Sequence, residues 1–385
     1  MRSRHLLSSA AVAVVLAALA GCGGADDPAT APAAAPDVIR LGTLVPLTGR
    51  SSPSGEAMVK AAQLAVSEAN KAGGVLGRQI ELVVGDDACD PGTAVTAART
   101  LVGKDIAVSV GGYCSSATVP TLKIFRDAQV PMIVAQSNST DLLSPGYDSV
   151  FLVCGTVTAE ADFAVDWFKK LGGKKLAVVH DGTSFPITLA QSTVTAAKRV
   201  GGLTVTDELE LSQGAPSYTR IAASVIAGKA DTVYFTGYYA EANQLIKDLR
   251  DEGFRGRIAV GDGATDGPLL ANLTPAQSKD VYGTALLFPE FMPELADWSA
   301  RYRAANGTAP GPSTVEAYDA VNVALDAIKR AGSLDHEAIR KAISTTDMTS
   351  MSGPMSFHPD GTRVTPKFLL LRAAGDTFEL EPTAG

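Results

Sequence analysis

Three stretches of this chain set polar groups directly after an apolar run, where hydroxyls, amides, a carboxylate or bare backbone N–H groups can meet a small molecule. In Gly111-Gly112-Tyr113-Cys114-Ser115-Ser116, small residues give way to hydroxyls where a helix should begin. Successive free N–H groups with Ser hydroxyls can hold an anion such as a carboxylate, although Ser there would serve equally as an ordinary helix cap. Gln136-Ser137-Asn138-Ser139-Thr140 repeats the design with more polar groups. Gly261-Asp262-Gly263 reads as a turn presenting the Asp262 carboxylate at a strand's end, with a helix-capping Asp as the plainer alternative.

None of these stretches carries a nucleophile beside a base, so they suit recognition more than reaction. The chain has no Gly-x-Ser-x-Gly elbow, Walker loop, Cys-x-x-Cys or His-Glu-x-x-His, and its four His (5, 180, 336 and 358) are scattered. Catalysis, a metal site and a cofactor are therefore not expected. With Gly267, the Gly261-Asp262-Gly263 turn approximates a dinucleotide fingerprint, but the spacing is one residue off and the acid would repel pyrophosphate. Gly85-Asp86-Asp87-Ala88-Cys89-Asp90-Pro91 has three Asp but lacks the EF-hand spacing and terminal Glu, and turn formation explains it.

The elements that must position these groups are apolar runs at 38–45, 79–84, 106–110, 132–135, 176–179, 232–235 and 258–260. Runs apolar at every position predict strands covered on both faces, the habit of parallel sheets. Helix punctuation falls between them. Asp90-Pro91 places a cap before a Pro at the first helical position, and Thr158 precedes Glu160 and Asp162, acids that complement a helix dipole. Phe163, Trp167 and Leu171 then recur every four residues up to Gly172-Gly173. Ser313 with Glu316 reads as a capping box ahead of Tyr318, Val321, Leu325 and Ile328, with Gly332 as the stop. Strand and helix alternate almost throughout, which predicts a doubly wound α/β architecture. At 385 residues the chain has length for two sheets, and a cleft between their carboxyl ends is the expected ligand site.

Residues 1–22 read as an export signal: Arg2, Arg4 and His5 precede a short apolar run ending in Leu19-Ala20-Gly21-Cys22. That ending resembles the lipobox of bacterial lipoproteins, which implies a lipidated Cys22 holding the chain at a membrane surface. Residues 23–37, rich in Ala and Pro, predict an extended tether. Removing the signal leaves 31 basic against 41 acidic side chains, a formal charge of about −10 that makes nucleic acid and anionic lipid poor partners. Cys89, Cys114 and Cys154 remain; in an oxidising exterior they allow one disulfide and one thiol, whose pairing the residues leave open.

From about residue 38 onward the chain resembles the type I periplasmic binding proteins of bacterial ABC transporters, in particular the leucine/isoleucine/valine-binding group. The resemblance is carried by Ala72-Gly73-Gly74 to Gly77, Asp86-Asp87-Ala88-Cys89-Asp90-Pro91, Cys114-Ser115-Ser116, Val179-His180-Asp181 and Val233-Tyr234-Phe235-Thr236-Gly237-Tyr238. It implies two parallel-sheet α/β lobes joined by a three-crossover hinge, the Venus-flytrap form. Residues 38–156 with 288–355 would form lobe 1, and 157–287 with 356–380 would form lobe 2. It further implies a Cys89–Cys114 disulfide with Cys154 left as a thiol.

For the site, the resemblance implies that Ser115, Gln136 and Asn138 hold a ligand carboxylate, while Asp262 and the Gln136 backbone carbonyl hold its ammonium. Ser137 and Tyr113 flank those loops. The family's wall positions fall on Ser54, Phe185 and Tyr238. Gln136 and Asn138 replace the small residues usual in the branched-chain binders, a departure that opens the site to a bulkier, polar or non-amino-acid ligand. The implied partners are an amino acid and the permease of an ABC transporter, served by a monomer on the outer face of the cytoplasmic membrane. A sensory binding protein of the same fold, for another small carboxylate or amide, is the alternative.

Overall fold

The computed structural model describes residues 38–265 and 269–382. The expected export signal, Cys22, the 23–37 tether and Gly267 lie outside the described residues.

Seven apolar runs fold as strands, and periodicity missed several more. β1 (Ile39–Val45), β2 (Ile80–Asp86), β3 (Val108–Ser109), β4 (Met132–Val134) and β5 (Val150–Leu152) form one parallel sheet in the order β2-β1-β3-β4-β5. Successive side chains point to opposite faces, so each strand feeds two cores. Ile39, Leu41 and Val45 pack with helices Ser52–Lys71 and Thr314–Ala331, while Leu44, Met132 and Val134 pack with Leu101 and Phe125 on the other side. Each such buried side chain contributes about 1.5–3 kcal/mol.

A second sheet contains β6 (Lys175–His180), β7 (Thr204–Glu210), β8 (Thr232–Phe235), β9 (Arg257–Val260) and β10 (Val281–Ala285). A separate hairpin, β11 (Asp347–Ser350) and β12 (Gly353–Ser356), follows. Then β13 (Leu369–Ala374) and β14 (Thr377–Leu380) extend the second sheet antiparallel, giving the order β14-β13-β10-β9-β8-β6-β7. Ala177, Val179, Val233 and Phe235 enter one of its cores and Leu176, Val178 and Tyr234 the other. The chain passes from the first sheet to the second after Leu152, returns after Ala285 to helices that pack on the first, and ends in β13 and β14.

Three local expectations are corrected. β2 is not covered on both faces: it is an edge strand with Val84 exposed, because apolar composition does not reveal a strand's place in the sheet. The helix Val157–Lys170 is capped by Thr156, whose hydroxyl accepts from Ala159 N at 3.2 Å, two residues before Thr158. Ser313 makes no capping box: its backbone is left-handed, with a φ of 64°, its hydroxyl makes no cap hydrogen bond, and Glu316 is buried. Asp90 does cap its helix, accepting from Thr93 N at 2.7 Å.

The Cys89–Cys114 disulfide ties the loop after β2 to the loop after β3. Cys154 is a buried thiol whose Sγ donates to the Ser137 carbonyl at 3.5 Å. No helix among the described residues is long and apolar enough to cross a membrane.

Candidate ligand-binding site

In both sheets the strand order reverses beside the first strand, so the loops leaving the carboxyl ends there diverge and open a crevice. The first sheet contributes the loops after β3 and β4; the second contributes those after β6, β8 and β9. These two sets of loops meet. Asp262, only 5% exposed, receives Asn138 Nδ2 at 3.1 Å and Gln136 Nε2 at 3.4 Å on one carboxylate oxygen.

Local backbone chemistry makes that approach possible. A Cβ on Gly111 would lie 2.6 Å from the Leu44 backbone nitrogen, so only glycine lets the loop after β3 press against β1. A Cβ on Gly263 would lie 2.8 Å from the Phe185 ring, so the Asp262 turn also needs its glycine. Tyr238 stands between the two sides, its ring centroid 5.7 Å from Phe185 and 6.5 Å from Tyr113. Burial first, then the Asp181 and Asp262 carboxylates, hold the Tyr238 phenol well above its ordinary value, so it serves as a neutral polar wall.

Six of the nine residues singled out for ligand contact therefore border one space: Tyr113, Gln136, Asn138, Phe185, Tyr238 and Asp262. Its volume is about 10 Å³, room for about one water. Ser54, Ser115 and Ser137 do not line it. Ser137 turns inward to share a 2.7 Å bond with Thr118, and Ser115 Oγ accepts from Ser139 N at 3.3 Å. Ser54 is buried in the first turn of its helix.

Sequence reasoning missed three features here. Ser184 donates to Asp141 at 2.7 Å, and the Ser139 hydroxyl lies 2.9 Å from that of Ser184 and 3.1 Å from that of Thr188, a second polar seam across the crevice. At the mouth, Arg50 pairs with the buried Glu241, which also accepts from Gly214 N at 3.0 Å, and Tyr239 OH donates to the Arg50 carbonyl. A cavity of about 360 Å³ lies under that pair, bordered by Cys89, Ser116, Thr183 and Gln213. The third is Glu160, fully buried beneath Asp262, whose Oε1 accepts from Asp262 N at 2.9 Å. Nothing in the order of residues separates Arg50 or Glu160 from ordinary surface charges.

The triple-Asp loop has a structural task. Asp86 accepts from Leu47 N at 2.8 Å, Thr48 Oγ1 at 2.7 Å and Ala88 N at 2.8 Å, and no acidic or His cluster among the described residues could hold a metal ion.

Comparison with known proteins agrees with this fold. The Leu/Ile/Val-binding protein homolog 3 of Brucella melitensis is 30% identical over 333 residues, spanning 86% of this chain and 90% of its own. The leucine-binding protein LivK of Thermotoga maritima superposes with a TM-score of 0.81 at 24% identity, covering 89% of this chain and 98% of its own. The LivJ substrate-binding protein of Streptococcus pneumoniae, solved with isoleucine, gives a TM-score of 0.78 at 23% identity over 90% of this chain and 99% of its own. The family model described as periplasmic binding protein matches residues 38–377, and the chain belongs to that family.

Proposed function

We propose that this protein is an exported, lipid-anchored receptor that captures an amino acid between two lobes and delivers it to the permease of an ABC transporter. The observation carrying this reading is Asp262: a buried carboxylate at a strand end of one half, met by amides from the other, in a space walled by Tyr113, Phe185 and Tyr238. Its present neighbours donate hydrogen bonds to it as an ammonium group would. In the proposal, Asp262 takes the ammonium, and Ser115 with the 136–138 loop takes the carboxylate. Residues 38–156 with 288–355 and 157–287 with 356–380 are the lobes; Cys22 carries the acyl chains. The names of the relatives favour branched-chain amino acids as ligands.

A space for one water does not admit an amino acid, so the lobes must part and the Gln136 and Asn138 amides must leave Asp262 before binding. Ligand bridging both halves then restores closure, because only the closed form offers both charges at once. The test is calorimetric titration with the twenty amino acids. Asp262→Ala is expected to weaken the best binder at least about 100-fold, the cost of leaving a buried ammonium unpaired. An unchanged affinity would end the reading.

One observation favours a more polar member of that ligand class. Gln136 Oε1 is buried with no donor, and an aliphatic side chain would leave it so. Tighter binding of L-glutamine or L-threonine than of L-leucine is the outcome that would select this version.

A further inference from the structure

Glu160 is a fully buried carboxyl beside the crevice. It projects from the first turn of helix Val157–Lys170, is 0% exposed, and touches the ammonium site from behind. Its Oε1 accepts three hydrogen bonds, from Thr284 Oγ1 at 2.6 Å, Asp262 N at 2.9 Å and Tyr234 OH at 3.2 Å. Its Oε2 is buried without a partner. Among the described residues, no basic side chain bonds to Glu160. The groups facing it are Tyr234 on β8, Thr284 on β10 and the Asp262 carboxyl, with the Cys154 thiol and Tyr238 phenol beyond Asp262. The neighbouring helix Ser184–Val200 has its basic residues in the last turn, where Arg199 pairs with the exposed Asp162.

Two neighbouring carboxyls buried inside a protein cannot both ionise cheaply, since each charge opposes the other and burial opposes both. We propose that Glu160 is the second carboxyl of the ammonium site: it and Asp262 keep one proton between them in the ligand-free protein and release it to water when an ammonium settles on Asp262. The inference rests on the amino-acid reading above. Burial, only partly offset by the donors on Oε1, pushes the Glu160 carboxyl up to about 7, which puts the exchange near neutral pH. The proton belongs to the pair rather than to one oxygen.

The sign follows from proton counting. Free protein holds one proton more than the complex, so affinity rises with pH while the pair is protonated, by up to about tenfold per pH unit, and levels off once the pair is fully ionised. The amino acid stays zwitterionic over that range. A ligand without an ammonium group releases no proton, so the site selects for the amine by charge as well as by hydrogen bonding.

The test measures proton release in calorimetric titrations of the full-length protein with L-leucine, or L-glutamine if leucine does not bind, in buffers of different ionisation enthalpy between pH 5.5 and 8.5. Wild type is expected to release up to one proton per ligand. Glu160→Gln keeps an acceptor for the same three donors and is expected to bind with no release and a flat pH profile. A wild type that releases no proton, or an E160Q protein with the wild-type profile, overturns the proposal. Should E160Q not fold, Thr284→Val removes a donor to the carboxylate and is expected to move the midpoint of the profile upward; an unmoved midpoint is equally fatal. Failure of every amino acid to bind would count against the amino-acid reading instead. The carboxyl pair is then judged without ligand, by an infrared difference spectrum at pH 6 between wild type and E160Q or, if E160Q does not fold, the T284V protein. A protonated-carboxyl band lost in E160Q or altered in T284V supports it, and the lack of any such difference overturns it.

Discussion

Two buried acidic clusters in this molecule start from nearly the same sequence pattern and end with different neighbours. Glu160 and Glu316 both lie in the first turn of a long helix, and both are fully buried. Around Glu316, the helix Thr314–Ala331 also presents Asp319, and the buried Arg363 supplies a positive charge to the cluster. Arg363 donates to the carbonyls of Val153 at 3.0 Å, Ser352 at 3.0 Å and Pro354 at 2.9 Å, while Asp319 accepts from Met351 N and Ser352 N, both at 2.9 Å. The Leu287 backbone N–H supports the Glu316 carboxyl. That cluster thus holds the segments near residues 153, 287 and 352, where the chain runs between the two sheets. Glu160 has no such cation among the described residues and sits behind a carboxylate that opens toward the crevice. One cluster has its counter-charge built in; the other has a place where a ligand can bring it.

The largest expected effect that could break this contrast is on stability. Arg363→Met should cost about 3–5 kcal/mol, seen as a lowered Tm, because it strands buried Asp319 and Glu316 without their cation. A small change would mean the cluster is no anchor. Next comes Glu316→Gln. Burial first, then the Asp319 charge, raises the Glu316 carboxyl from 4.5 to about 7, so the folded state binds a proton more tightly than the unfolded state. Stability from this group is full below pH 4.5 and is lost as pH rises through 7. The Gln variant should therefore be more stable than wild type at pH 8, by up to about 3 kcal/mol, and gain little at pH 4. Chemical denaturation at the two pH values checks the sign. The smallest effect is expected at the crevice mouth, where Arg50 is 58% exposed and Glu241 only 4%. Arg50→Ala should weaken ligand by about 1 kcal/mol, mainly through faster release, with part of the difference erased by high salt. Stopped-flow release rates at two ionic strengths measure it.

Much of the frame could be read without coordinates. Seven apolar runs and the Asp90-Pro91 cap identified strands and a helix start because each is a local steric or hydrogen-bonding preference. What escaped were strands whose pattern is half polar, such as the edge strand Thr204–Glu210, and the antiparallel addition Leu369–Ala374, which depends on a partner 80 or more residues away. The site divided in the same way. Asp262, Gln136, Asn138, Phe185, Tyr238 and Tyr113, which border one space, could be singled out because a strand end followed by polar or aromatic residues is visible along the chain, and the family pattern names them. Glu316 was misread as a capping acid, while the dipole role read for Glu160 fits its first-turn position but did not reveal its bond to Asp262 N.

Sequence alone thus determined the alternation of strand and helix, the strand ends where polar groups gather and the positions of the cysteines. Those properties depend on residues a few places apart. Only the tertiary structure decided which face of a helix turn meets the interior, since that depends on contacts 102 positions apart between Glu160 and Asp262, and 191 apart between Arg50 and Glu241. The charge state of a buried carboxyl is set by whatever such long-range packing brings within a few ångströms, and no local pattern encodes it.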